Sequence, residues 1–273
     1  MNSPENSLPE RRRKRRKLPH MPARSLLPNA VTVMALCAGL TSIRFSFQEN
    51  WKMAVLAIAV AAILDGLDGR VARLVKGATR FGAELDSLSD FLCFGAAPAL
   101  LLYNWSLNSL GGVGWILVLL FAVCSALRLA RFNTAMDDED SSAGSVFFFT
   151  GIATPAAAGV VLIPLYLEFQ LGDGMFRNAY LCAGLTAFVA FAMVSQIPTY
   201  SFKSLRVPRR YVMVALLAVG LTAAVAISYP WAALTAAGVL YLATLPLSVM
   251  SHRRYRRKLA AGEQAVVGSD DTK

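Results

Sequence analysis

The stretch WKMAVLAIAVAAILDGLDGRVARLVKGATRFGAELDSLSDFLCFGAAPALLLYN, residues 51–104, decides the fold. Two apolar runs flank a short basic turn, and each is long enough to cross a hydrocarbon core about 30 Å thick as a helix of roughly 20 residues. Inside them fall five carboxylates, Asp65, Asp68, Glu84, Asp86 and Asp90. A charge near the bilayer centre costs at least ~2.5–3.5 kcal/mol unless it is paired or hydrated, so such residues are functional candidates.

Depth and facing follow from helix geometry. From Met53 to Leu64 the second span descends about 18 Å before Asp65, which leaves roughly 10 Å to the edge of the bilayer. Asp86 and Asp90 lie roughly 6 and 12 Å beyond Gly82 on the returning helix, so the turn through Lys76–Arg80 brings both aspartate pairs to similar depth. Asp65 and Asp68 are i, i+3, and Asp86 and Asp90 are i, i+4, so each pair shares a helix face. Glu84 faces elsewhere and suits a capping or snorkelling carboxylate near the helix end.

Four carboxylates gathered in a low-dielectric site repel one another unless cations join them, and hard divalent ions such as Mg2+ or Mn2+ take oxygen ligands. Two such ions would balance the formal charge. Hydrogen-bonded or protonated aspartate pairs and a proton relay are the alternatives. Gly69, Ala72 and Gly82 leave space beside the helix backbones for a nucleotide, and Arg73 offers charge for phosphate. His20 and His252 lie in basic flanks outside the spans, so a general base is expected to be a carboxylate.

Outward from this stretch, 56% of the 273 residues are hydrophobic and 16% charged, which places the chain among membrane proteins. Eight spans are expected, approximately Leu27–Phe47, Trp51–Val75, Phe81–Asn104, Gly112–Ala130, Phe147–Glu168, Ala179–Ile197, Tyr211–Tyr229 and Trp231–Met250. They form an all-α membrane domain at 27–250, between a basic head at 1–26 and a tail at 251–273. The first span has no small-residue cleavage site and reads as a retained helix.

Of the 27 Lys and Arg residues, only Arg44, Lys52 and Arg177 fall on one side of this topology. The positive-inside rule therefore puts the head, tail and even loops in the cytoplasm. The run Arg11–Lys17 faces anionic headgroups and sets orientation on this view, rather than binding nucleic acid. Cys37, Cys93, Cys124 and Cys182 are scattered over four spans without metal-ligand spacing and read as core thiols.

The pattern Asp65-x2-Asp68-Gly69-x2-Ala72-Arg73-x8-Gly82-x3-Asp86-x3-Asp90 resembles the full signature of the CDP-alcohol phosphotransferases. That resemblance implies their fold. It also implies one or two divalent metals on Asp65, Asp68, Asp86 and Asp90 at the pyrophosphate of a CDP-linked donor, with Asp90 as catalytic base. Asp68, Gly69, Ala72, Arg73 and Gly82 would bind CDP. An alcohol oxygen would attack the lipid phosphorus, and CMP would leave. A diacylglycerol donor fits the depth found above, with tails in the bilayer and phosphates just below the cytoplasmic surface of the cell membrane.

Phe91–Ala99, Arg128–Thr134, Thr150–Ala158 and Ser195–Lys203 are similar to the branch of that family that joins CDP-diacylglycerol to serine. Ala153 stands where this branch often has proline. Other acceptors, namely glycerol 3-phosphate, inositol phosphate or choline, share the signature. A cation-coupled transporter would also place aspartates in the membrane, though it would not require Gly, Ala and Arg at these spacings. A serine acceptor needs a cation for its carboxylate, and Arg131, helped by Arg128 and Asn133, is the expected site. Ordinary positive-inside anchoring is the other account of the two arginines. The expected partners are CDP-diacylglycerol, serine, membrane lipids and, by resemblance, a second copy of the chain.

Overall fold

The computed structural model describes residues 26–75, 79–139, 151–195 and 212–244, and among them every regular element is helical. Helix α1 (Leu26–Phe47) and helix α2 (Trp51–Val75) pack along each other. Their connection turns through Glu49 at φ 56°, and Asn50 accepts from the Met53 N–H at 3.4 Å to open α2. α1 buries Pro28, Thr32, Ala35, Gly39, Ser42 and Ser46. Their spacing of three and four draws a stripe of small side chains down one face, which lets neighbouring backbones approach closely.

That approach is tightest where α1 crosses the third span. A Cβ at Gly39 would lie 2.5 Å from Cys93 Sγ and 3.2 Å from Cys93 Cα. The third span is a compound helix. α3 (Arg80–Asp90) starts at Thr79, whose Oγ1 accepts from the Gly82 N–H at 3.0 Å. It passes through a π-helical turn, Phe91–Ala96, into α4 (Ala97–Trp105). In that turn the Ala97 N–H bonds to the Leu92 carbonyl five residues back, and Pro98 has no N–H to offer Phe94. Such turns are frequent at functional sites, and this one follows Asp90 directly.

Helix α5 (Gly112–Glu139) is followed by the short pair α6 (Thr154–Val161) and α7 (Ile163–Leu171), broken at Leu162 ahead of Pro164. Next come α8 (Ala179–Val194), α9 (Val212–Ser228) and α10 (Pro230–Thr244). Asn178 caps α8 by accepting from the Tyr180 N–H at 2.9 Å. α10 rests on α7 through an edge-on Phe169–Trp231 pair with centroids 4.7 Å apart and a Gln170–Thr235 hydrogen bond of 2.8 Å. Phe94, Leu101, Phe121, Leu162, Leu165 and Met193 are fully buried in the core. Leu40, Ile63, Ile116, Val123, Phe191 and Leu217 are exposed, and an outer surface this apolar belongs in a bilayer.

Among the described residues, four stretches are long and apolar enough to cross a membrane: Leu26–Phe47, Arg80–Trp105, Gly112–Thr134 and Thr154–Leu171. Gly220–Ser228 and Pro230–Thr244, bent by 120° at their break, make a fifth if they count as one span. The expected count of eight is therefore not confirmed among the described residues. α2 has the length at 25 residues but carries Asp65, Asp68, Arg70 and Arg73, and α8 has only 16 residues. The helix that carries the expected fourth span runs past Ala130 to Glu139 and holds Arg128 and Arg131 within its length.

The basic head with Arg11–Lys17, the cations at 203–210 and the tail lie outside the described residues, as do His20 and His252. So do the expected span ends at 147–150, 196–197 and 245–250, and Gln196–Lys203 of the last similar segment.

Candidate active site

Two helices bring the carboxylates together. Asp65 and Asp68 sit on α2 in its last three turns, and Asp86 and Asp90 on α3. One carboxylate oxygen from each of Asp65, Asp68 and Asp86 lies within 4.8 Å of the other two. Asp90 stands beside this group rather than inside it, one turn further along α3 than Asp86 and within electrostatic range of Asp65. Glu84 is exposed and lies apart. Convergence of the four aspartates thus follows the sequence expectation, with three at the centre and the fourth alongside.

Proximity of this kind is unfavourable in the protein alone. Two carboxylates about 4 Å apart repel by about 4 kcal/mol even at an effective dielectric constant of ~20. Among the described residues, the buried atoms Asp86 Oδ1 and Asp90 Oδ1 have no hydrogen-bond partner. Buried carboxylate oxygens without a protein partner can be satisfied by a cation. An all-oxygen donor set of this kind fits hard divalent ions.

Asp68 is the most deeply placed of the group at 5% exposure, and the Thr32 hydroxyl donates to its Oδ2 at 2.8 Å. Sequence inspection missed Thr32, which lies 36 residues away on α1. Its only signal was a hydroxyl in the first apolar run, in register with the small stripe.

The nucleotide side is more mixed. A Cβ at Gly66 or Gly69 would meet nothing within 4 Å, so α2 offers bare, exposed backbone next to the aspartates. Arg73 is exposed, and its Nε donates to the Gly69 carbonyl at 3.0 Å. Ala72 lies on the same helix; its side chain is outside what the structure describes. Gly82 differs from expectation, because a Cβ there would fall 2.7 Å from Asn29 Oδ1 and 3.2 Å from Thr79 Oγ1. Its missing side chain admits Asn29 from the start of α1, a second residue not singled out in the sequence.

The three residues expected to hold an acceptor divide. Arg128 is partly buried, donates from Nη1 to Thr154 Oγ1 at 2.8 Å, and keeps a buried Nε that has no partner among the described residues. Its guanidinium is within electrostatic reach of Asp90. Asn133 exchanges hydrogen bonds with Ser87, donating from Nδ2 at 2.9 Å and accepting at Oδ1 at 3.3 Å, which ties α5 to the residue after Asp86. Arg131 is exposed. Arg128 and Asn133 therefore border the aspartates, and Arg131 does not share their burial.

Comparison with known proteins agrees with this geometry. Residues 25–190 match the family model described as CDP-alcohol phosphatidyltransferase, and residues 210–246 match CDP-alcohol phosphatidyltransferase 2. A relative from Mycobacterium tuberculosis is 40% identical over 228 residues, covering 84% of this chain and 79% of the relative. One from Mycobacterium leprae is 40% identical over 229 residues, covering 84% and 76%. One from Helicobacter pylori is 35% identical over 183 residues, covering 66% and 74%. All three are named CDP-diacylglycerol–serine O-phosphatidyltransferase. The paired aspartates, the bare glycine backbone beside them and a match over more than half the length have one explanation: the chain belongs to the CDP-alcohol phosphatidyltransferase family.

Proposed function

We propose that this membrane enzyme transfers the phosphatidyl group of CDP-diacylglycerol to the hydroxyl of L-serine, giving phosphatidylserine and CMP. The observation that carries the proposal is the convergence of Asp65, Asp68 and Asp86, with Asp90 at their edge, in a chain 40% identical to enzymes of that name. The transferase chemistry excludes the transporter alternative, and the names of the relatives favour serine over glycerol 3-phosphate, inositol phosphate or choline.

In this account Asp65, Asp68, Asp86 and Asp90 hold two divalent ions, Mg2+ or Mn2+. When bound, these ions neutralise charge on the donor pyrophosphate. Gly69, Ala72 and Arg73 line the CDP side, with Gly82 and Asn29 closing one wall. Arg128 pairs with the serine carboxylate, Asn133 fixes the neighbouring edge, and Arg131 sits at the rim. Asp90 takes the proton from the serine hydroxyl. The serine oxygen bonds to the lipid phosphorus as the bond from that phosphorus to the bridging oxygen breaks, and CMP leaves with that oxygen.

The excess of Lys and Arg at the head, tail and even loops supports eight crossings, with α2 spanning the bilayer despite its charges. It also supports termini and active site on the cytoplasmic side of the cell membrane. We take 27–250 as the catalytic domain, and a homodimer as its assembly. An acceptor panel tests the substrate: purified protein with CDP-diacylglycerol should yield phosphatidylserine from serine and little lipid product from the other alcohols. Phosphatidylglycerophosphate formed in place of phosphatidylserine would move the chain to another branch.

A further inference from the structure

We infer that Thr32 on α1 is a positioning residue for the cation site, setting the orientation of the Asp68 carboxylate and the spacing of the two aspartate helices. The inference rests on the metal-binding reading of the aspartates given above.

Thr32 is 4% exposed and Asp68 5%, and their 2.8 Å contact joins α1 to α2. The Thr32 hydroxyl has one proton and two acceptors in reach, since the Pro28 carbonyl lies 3.1 Å away. An ionised carboxylate is the stronger acceptor. With Asp68 ionised, the proton is directed at Oδ2, and the carboxylate cannot rotate that oxygen away without leaving a buried donor unpaired. One oxygen of the same carboxylate lies within 4.8 Å of oxygens of Asp65 and Asp86. The backbone of the same residue reaches the second aspartate helix: Ser89 Oγ donates to the Thr32 carbonyl at 3.4 Å, one residue before Asp90. One turn further along α1, Cys93 Sγ donates to the Ala35 carbonyl at 3.2 Å. α1 thereby fixes the separation of α2 and α3 at the level of the cluster, and Thr32 contacts both.

Hydrogen-bond partners that orient metal ligands typically contribute 10–100-fold in metal affinity. Mn2+ binding to the purified full chain in lipid nanodiscs, followed by electron paramagnetic resonance, reads this directly and without turnover. Thr32→Val and Thr32→Ala should each weaken Mn2+ binding by about 10–100-fold and alter the bound-ion spectrum, while Thr32→Ser should restore both to near the parent. Asp86→Asn serves as reference. If either folded, hydroxyl-free variant binds Mn2+ like the parent while Asp86→Asn does not, Thr32 has no positioning role and the metal site stands. If Asp86→Asn also binds like the parent, the metal reading itself is wrong, and this inference falls with it.

Discussion

Arg128 on α5 donates to the Thr154 hydroxyl at 2.8 Å, which fixes the guanidinium at the start of α6 while its Nε stays buried with no partner among the described residues. A cation held this way has its geometry set before a carboxylate arrives. Hydrogen bonds to charged groups contribute about 1.5–3 kcal/mol, so Arg128→Ala should raise the KM for serine by about 10–100-fold. The KM for CDP-diacylglycerol should change little. Arg131→Ala, at an exposed position, should have the smaller effect, and Arg73→Ala should show the opposite split between the substrates. Steady-state kinetics with each substrate varied in turn checks all three, and equal effects of Arg128→Ala on both would remove the acceptor site from α5.

Asp90→Asn should lower kcat by at least ~100-fold, the usual contribution of a general base. Its thermal unfolding in detergent should stay near that of the parent. A folded Asp90→Asn protein with nearly normal turnover would leave the carboxylate as a ligand at most.

Asp65, Asp68 and Asp86 share one cluster, so single Asn substitutions should each abolish activity, and double substitutions should add almost nothing further. Additive partial losses would mean that the three act separately.

Two glycines on neighbouring helices should respond in opposite ways to a methyl group. Gly69 faces open space, so Gly69→Ala should keep or slightly raise stability, while increasing the KM for CDP-diacylglycerol. Gly39→Ala would bring a Cβ against Cys93 Sγ and Cα. There the overpacking cost of typically 1–3 kcal/mol outweighs the helix propensity gained. Thermal melts of the two variants side by side give the comparison.

The aspartate site was legible from sequence because its spacing is local: i, i+3 and i, i+4 pairs on two helices joined by a short turn meet almost by necessity. Residues that complete it from elsewhere were not. Thr32 and Asn29 reach the site from α1, and nothing in their own segment marks a partner on α2 or α3. The expected count of eight spans is not confirmed among the described residues. Hydropathy does not register the break at Leu162 or the π-helical turn after Asp90. Arg131 was the expected carboxylate site with Arg128 as its helper at i, i+3, and only the hydrogen bond from Arg128 to Thr154 on α6 distinguishes the partly buried cation from the exposed one.

The clustered aspartates are expected to form a cation-dependent phosphatidyl transfer site. Purified protein, CDP-diacylglycerol, serine and Mn2+ or Mg2+ should give CMP and phosphatidylserine in equal amounts, and excess EDTA should stop both. Undiminished product in EDTA, or no CMP released with any alcohol, would contradict it.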